Sequence, residues 1–163
     1  MAIQFGFQTY TWQMSYNKYA MKLPHILDVI SAAGGKGVEP EVCMLGDCRT
    51  DPYRLKDQLE QRNLQLGALC LALDWKLPLE TEDERLEADR VIEYLRVFPD
   101  TLLTLVQLPG VDRSNLAERQ ANALTQINAV SKRAAEKGIH CAYHPNSPNG
   151  SICREAEDYK VLL

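Results

Sequence analysis

The chain has 163 residues, 45% of them hydrophobic and 25% charged, the balance of one soluble globular domain built on a single core. A formal net charge of −4, with no basic cluster longer than Lys132-Arg133, argues against nucleic acid as a partner. The longest apolar run, Leu66 to Leu73 around Gly67, is too short to cross a bilayer, and the N-terminus lacks the basic flank and apolar core of a signal peptide; a cytoplasmic protein with no membrane partner is expected.

Taken in chain order, short apolar runs alternate with longer amphipathic segments. The first run, Ile3 to Tyr10, predicts a strand. In "LPHILDVISAAGG" the residues Leu23, Ile26, Leu27, Ile30 and Ala33 share one helical face, and Gly34-Gly35 supplies the stop. The second run, "GVEPEVCML", ends at Gly46-Asp47. Asp51-Pro52 then opens a helix, as an N-cap followed by proline at the first helical position, and carries Leu55 and Leu59. The third run, "LQLGALCLAL", is apolar on both faces, as in a strand covered on both sides. Its helix starts at Thr81 with Glu84 three residues on, a capping box. The acidic "ETEDE" around that start favours the helix dipole. "TLLTLVQLPG" is the fourth strand, followed by a helix from Ser114 to Lys137-Gly138. "IHCAYHP" is the fifth, and a fifth helix is expected to begin near Arg154.

Five βα units of about 30 residues each, with no low-complexity linker between them, make residues 1–163 one α/β domain with a parallel sheet. Periodicity leaves a doubly wound open sheet and part of a (β/α)8 barrel both open. Two features favour the barrel. The glycines Gly34 to Gly37 follow a helix rather than a strand, so no dinucleotide fingerprint is present. Polar residues also recur where strands end: Gln8 and Tyr10, Glu39 and Glu41, Asp74 and Trp75, Gln107, His144 and Asn146. That rim is where barrel enzymes keep their chemistry.

Each candidate has a functional and a plain reading. His144 suits metal or substrate contact, or packs at a strand end. Asn146 either meets a ligand or shapes the turn of "PNSPNG". Alternation puts Glu39 and Glu41 on one face, one toward the mouth and the other solvated after the bend at Pro40; Glu39 is the candidate base or hydroxyl acceptor. Gln107 bonds a substrate hydroxyl or a loop backbone, and Tyr10 and Trp12 form an apolar wall or plug the core. His25 is structural, and His140, in line with Ala142 and His144, is a candidate core histidine. The five cysteines contain no C-x-x-C; Cys70 and Cys141 read as small buried apolar residues, and Cys43 and Cys48 lack the second pair that a zinc site needs.

The segments "FGFQTYTW", "GVEPEVCMLGD", "LVQLPG" and "AYHPNSPNGSICREAEDYKVLL" resemble the sugar phosphate isomerase/epimerase family of the xylose isomerase-like TIM barrel superfamily. The resemblance spans the chain and implies an incomplete (β/α)8 TIM-barrel type with about five βα units. It implies a divalent metal, manganese, magnesium, cobalt or zinc, at the barrel mouth, and proton transfer beside a carbonyl that isomerises, epimerises or dehydrates a sugar, sugar phosphate or cyclitol. Family ligands come mostly from strands five to eight. The strand-five glutamate is replaced here by "YHPN", and the sequence stops at Leu163 before strands six to eight are expected. On this chain the catalytic candidates are Glu39 and His144, with His144 also the metal candidate. Gln8, Tyr10, Trp12, Gln107 and Asn146 are the substrate-binding candidates. The alternatives are a non-catalytic half-barrel that forms a homo-oligomer through its open sheet edge and, disfavoured by the acidic balance, a relative of the abasic-site endonucleases.

Overall fold

The computed structural model describes residues 4–162. Among them six short strands, all parallel, lie in two hydrogen-bonded sheets: β1 (Gly6–Gln8), β2 (Gly37–Glu39) and β3 (Gln65–Leu66) in one, and β4 (Ala68–Leu73), β5 (Leu102–Gln107) and β6 (Cys141–Tyr143) in the other. Only Gly67 separates β3 from β4. Its N–H still bonds Val38 O, its carbonyl accepts from Leu102 N, and Cys70 N donates to Pro40 O, so β3 and β4 act as one strand that bends from one neighbour to the next. The spatial order is therefore the chain order. Consecutive parallel order is barrel topology, whereas a doubly wound sheet reverses direction part-way across.

Helices cover one side of this curved sheet. The helix α3 (Leu23–Ala32) buries Leu23, Ile26, Leu27 and Ile30. Asp51 caps α4 (Pro52–Glu60) by accepting from Arg54 N, and Leu55 and Leu59 face inward. Both bonds of the Thr81/Glu84 capping box form at α5 (Glu82–Leu95). The same Glu84 carboxylate accepts from Trp75 N at 2.7 Å and so holds a buried tryptophan at φ +46, a conformation bulky residues rarely adopt. The longest helix, α6 (Leu116–Ala135), stops ahead of Gly138 at φ +77. Its amides Asn122 and Gln126 and its Arg133 reach back to Lys76 O, Leu77 O and Glu80, which fixes the loop after β4.

Several boundaries differ from expectation, each for a local reason. Strand β1 ends at Gln8, because Trp12 N and Gln13 N both return to Thr9 O and turn the chain into a short helical segment, α1 (Tyr10–Gln13), followed by α2 (Tyr16–Tyr19); Ile3 lies outside the described residues. Strand β2 stops at Glu39 before Pro40, which has no N–H to donate, and two 3-10 turns, Val42–Met44 and Gly46–Cys48, follow. Helix α6 begins two residues after Ser114, whose N–H and hydroxyl are taken by Asp112. In place of a helix from Arg154 there is a 3-10 segment, Ala156–Leu162, entered through Asp158, whose carboxylate accepts from Arg154 N and Glu155 N. His140 is exposed rather than a core residue.

Candidate functional site

Alternation sorts each strand into two faces. Leu69 and Leu71 on β4 and Leu103 and Leu105 on β5 are at most 1% exposed and join the core beneath the helices. The opposite, concave face carries Gly6 and Gln8, Gly37 and Glu39, Ala68, Cys70 and Ala72, Thr104 and Val106, and Ala142, in register from strand to strand. These are mostly small residues, and they leave open space.

At the C-terminal end of that face, the α1 turn and the loop after β6 enclose a cavity of about 190 Å3 lined among others by Gln8, Thr9, Tyr10, Gln13, Glu41, Cys70, His144 and Asn146. A wider groove continues from it down the concave face past Gly6, Gln8, Glu39, Ala68 and His144. Glu41 sits where the chain leaves β2 and forms a single parallel bridge with Cys70. Its two oxygens are held separately: Gln13 Nε2 donates to Oε2 at 2.7 Å, and the Cys43 thiol donates to Oε1 at 3.2 Å. Burial, and then the nearby Glu41 charge, push the Cys43 thiol up to about 12; burial, then Glu41 and Glu39, push Cys70 up further. Both thiols are therefore held in the protonated form, Cys43 as a donor to Glu41 and Cys70 as part of the cavity wall.

The stretch "AYHPNSPNGS" is built for close approach. Gly150 packs so tightly on the β5–α6 loop that a Cβ there would lie 1.8 Å from Gly110 O, and Gly110 N donates back to Gly150 O. Arg119 bonds Gly150 O and Asp112 O; Arg113 bonds Ser151 O and grips the buried Asp158 through both carboxylate oxygens. The loop that carries His144 and Asn146 is thereby clamped from behind.

Of the sequence candidates, Gln8, Tyr10, His144 and Asn146 meet at the cavity, and Glu39 lies beside Gln8 and His144 in the groove. His144 anchors its backbone through N–H to Leu105 O and leaves its ring exposed. Asn146 Nδ2 donates to Gln107 O, leaving its side-chain oxygen as an acceptor. Gln107 is buried with Nε2 on Asp74 O and acts on the cavity only through Asn146. Trp12 is half-buried against the core and does not line the cavity. Thr9 and Gln13 escape a reading of the sequence, and Glu41, read there as a rim carboxylate, takes the place at the cavity for which Glu39 is the candidate. Thr9 is fully buried, and its hydroxyl has no hydrogen-bond partner among the described residues. A strand drawn through to Tyr10 hides the turn that places Thr9 and Gln13.

Among the described residues no group of three or more His, Cys, Asp or Glu side chains is placed to hold a metal ion. Of these residue types the groove offers Glu39 and His144 among the described residues, two of the donors that a metal site needs.

At the level of sequence, no family model and no curated protein matches the chain. Solved structures do match. A xylose isomerase domain-containing protein from Salmonella typhimurium superposes with a TM-score of 0.67 at 15% identity, over 99% of this chain and 58% of that one. The probable 3-DHS dehydratase AsbF of petrobactin synthesis from Bacillus anthracis gives 0.62 at 14%, over 86% and 52%. A sugar phosphate isomerase/epimerase from Parabacteroides distasonis gives 0.54 at 16%, over 88% and 51%. The chain has the fold of part of a xylose isomerase-like TIM barrel. It spans between half and three-fifths of the length of these three structures, and its cavity lies at the strand ends where barrels of this type carry their sites. No helix among the described residues is long and apolar enough to cross a membrane.

Proposed function

We propose that the chain supplies the substrate-binding part of an enzyme that isomerises, epimerises or dehydrates a sugar, sugar phosphate or cyclitol by proton transfer beside a carbonyl. The observation that carries this reading is that Glu39 and His144 line one groove at the C-terminal strand ends, which adjoins a cavity lined by Gln8, Tyr10, Glu41 and Asn146. The likeness to solved sugar isomerase/epimerase and dehydratase structures supports it.

In this scheme Glu39 accepts the proton from the carbon beside the carbonyl, and the C–H electron pair forms the enediol double bond as His144 protonates the carbonyl oxygen. Return of the proton to the neighbouring carbon, as His144 takes the enediol proton from the first carbon's own hydroxyl, gives the isomer; return to the opposite face of the first carbon, as His144 recovers the proton it gave, gives the epimer. Asn146, held by Gln107, and Gln8 orient hydroxyls, while Tyr10 covers the carbon face and Trp12 backs the α1 turn. A divalent metal, manganese, magnesium, cobalt or zinc, with His144 as one donor, belongs to the proposal through the resemblance, and none of these steps is routed through it.

Incorporation of deuterium from D2O into a ketose, followed by NMR with and without each metal, tests the reading. Exchange that falls about 100-fold in Glu39→Gln supports it; exchange no faster than buffer, with every metal, overturns it.

A second reading has its own observation. Phe5 is 70% exposed and Phe7 39%, beside the outer edge of β1, which has no strand partner among the described residues, so apolar surface flanks an open strand edge. A homo-oligomer formed through that edge, without catalysis, predicts a native mass by light scattering that rises with concentration and returns to the monomer in Phe5→Lys.

A further inference from the structure

We propose that the cavity enclosed by the α1 turn and the loop after β6 binds neighbouring hydroxyls of an uncharged polyol or hydroxyketone and rejects phosphate esters, with Glu41 as the specificity-determining acceptor. The inference rests on the sugar-binding reading above and narrows its substrate class.

At Glu41 the wall offers acceptors alone. Each Glu41 oxygen accepts one hydrogen bond, from Gln13 or Cys43, which fixes the carboxylate plane and leaves each oxygen a free acceptor direction. Two adjacent acceptors at fixed spacing match two neighbouring hydroxyls, which are donors. Asn146 adds a third acceptor in its side-chain oxygen, held in place by the bond from one N–H of its NH2 to Gln107 O. Thr9 contributes a fully buried hydroxyl without a partner among the described residues, a group whose desolvation is uncompensated until a ligand hydroxyl meets it. Among the described residues no lysine or arginine lines either the cavity or the adjoining groove, and the groove holds the second carboxylate, Glu39. A phosphate ester brings acceptors and negative charge to a site with two carboxylates, where His144 alone among the described lining residues can carry an offsetting charge. At about 190 Å3 the cavity takes one end of a sugar-sized molecule, and the groove takes the rest.

Binding of D-fructose and of fructose 6-phosphate to the full chain, each titrated by calorimetry and by saturation-transfer NMR, tests the proposal. Fructose is expected to bind at least about tenfold more tightly than its phosphate ester, and Glu41→Gln to weaken fructose binding by about tenfold. Thr9→Val separates binding from folding: removing an unpartnered buried hydroxyl raises the melting temperature, while removing a ligand contact lowers affinity for fructose. Equal or tighter binding of the phosphate ester overturns the proposal, as does binding of neither, or fructose affinity unchanged in both variants. Deuterium exchange distinguishes the two failures. Exchange that prefers the phosphorylated ketose keeps the enzyme reading and sinks the subsite; fructose bound through Glu41 without exchange does the reverse.

Discussion

The two faces of the sheet follow opposite rules. The helix-covered face is built from leucines at 0 to 1% exposure, interdigitated with α3 to α6, and tolerates no space. The concave face carries glycine, alanine, cysteine, threonine and valine, with carboxylates, an amide and an imidazole at its rim. Strand alternation makes both from the same residues, so fold and candidate chemistry sit one position apart along each strand. Mutations one residue apart should therefore separate stability from binding.

The largest effect is expected on the covered face. Leu103→Ala removes a fully buried side chain at the centre of β5 and should cost about 2–5 kcal/mol, read as a lower urea midpoint. Its neighbour Thr104, on the concave face, changed to Ser loses one methyl group and should cost about 0.8 kcal/mol. Equal losses at the two positions would show that the faces are not energetically distinct.

Next comes the clamp behind the cavity. Gly150→Ala places a Cβ 1.8 Å from Gly110 O, so the two loops must part, with an expected loss of about 1–3 kcal/mol. Because the displaced loop carries His144 and Asn146, ligand affinity should fall with stability. Gly138→Ala, at φ +77 with open space around its Cβ, should destabilise through backbone strain while leaving affinity unchanged. Smaller again is the cap of α5, which does not line the cavity: Thr81→Ala should cost about 1 kcal/mol and leave binding as it was.

What is legible in the sequence follows the same division. Helices α3 to α5 and their caps are readable because apolar spacing and capping residues are local signals: Leu23 to Ile30, Asp51-Pro52 and the Thr81/Glu84 pair all form as expected. Barrel type is supported there only indirectly, and the pairing of Gly67 with both β2 and β5 decides it, a non-local fact. The rim is half legible. Polar residues at strand ends identify Gln8, Glu39, His144 and Asn146, but the assignment of Glu41, Thr9 and Gln13 depends on where β1 and β2 end. A strand read two residues too long hides the turn that brings its last side chains to the mouth. The clamp is invisible, since nothing in "PNGSICRE" announces that Gly150 will meet Gly110 or that Asp158 will meet Arg113.

That ion pair makes its full contribution at neutral pH and loses it only in acid. Two bonds from Arg113, then the N–H groups of Glu155 and Arg154, hold the Asp158 carboxyl well below its ordinary value near 3.8. A carboxylate with a depressed folded-state pKa stabilises the fold at every pH above its unfolded value, and the contribution drains away as pH falls from there toward the lower folded value. Above about pH 5 the residue is charged in both states, so stability should not vary with pH on its account. Below about pH 4 the unfolded chain binds the proton first and the clamp weakens. Asp158→Asn cannot titrate, so its urea midpoint, lower than that of the parent at neutral pH, should fall less steeply between about pH 4 and pH 2.5, bringing the two curves together. Parallel curves would place the acid sensitivity elsewhere, and the loop carrying His144 would then be held mainly by the Gly110–Gly150 contact.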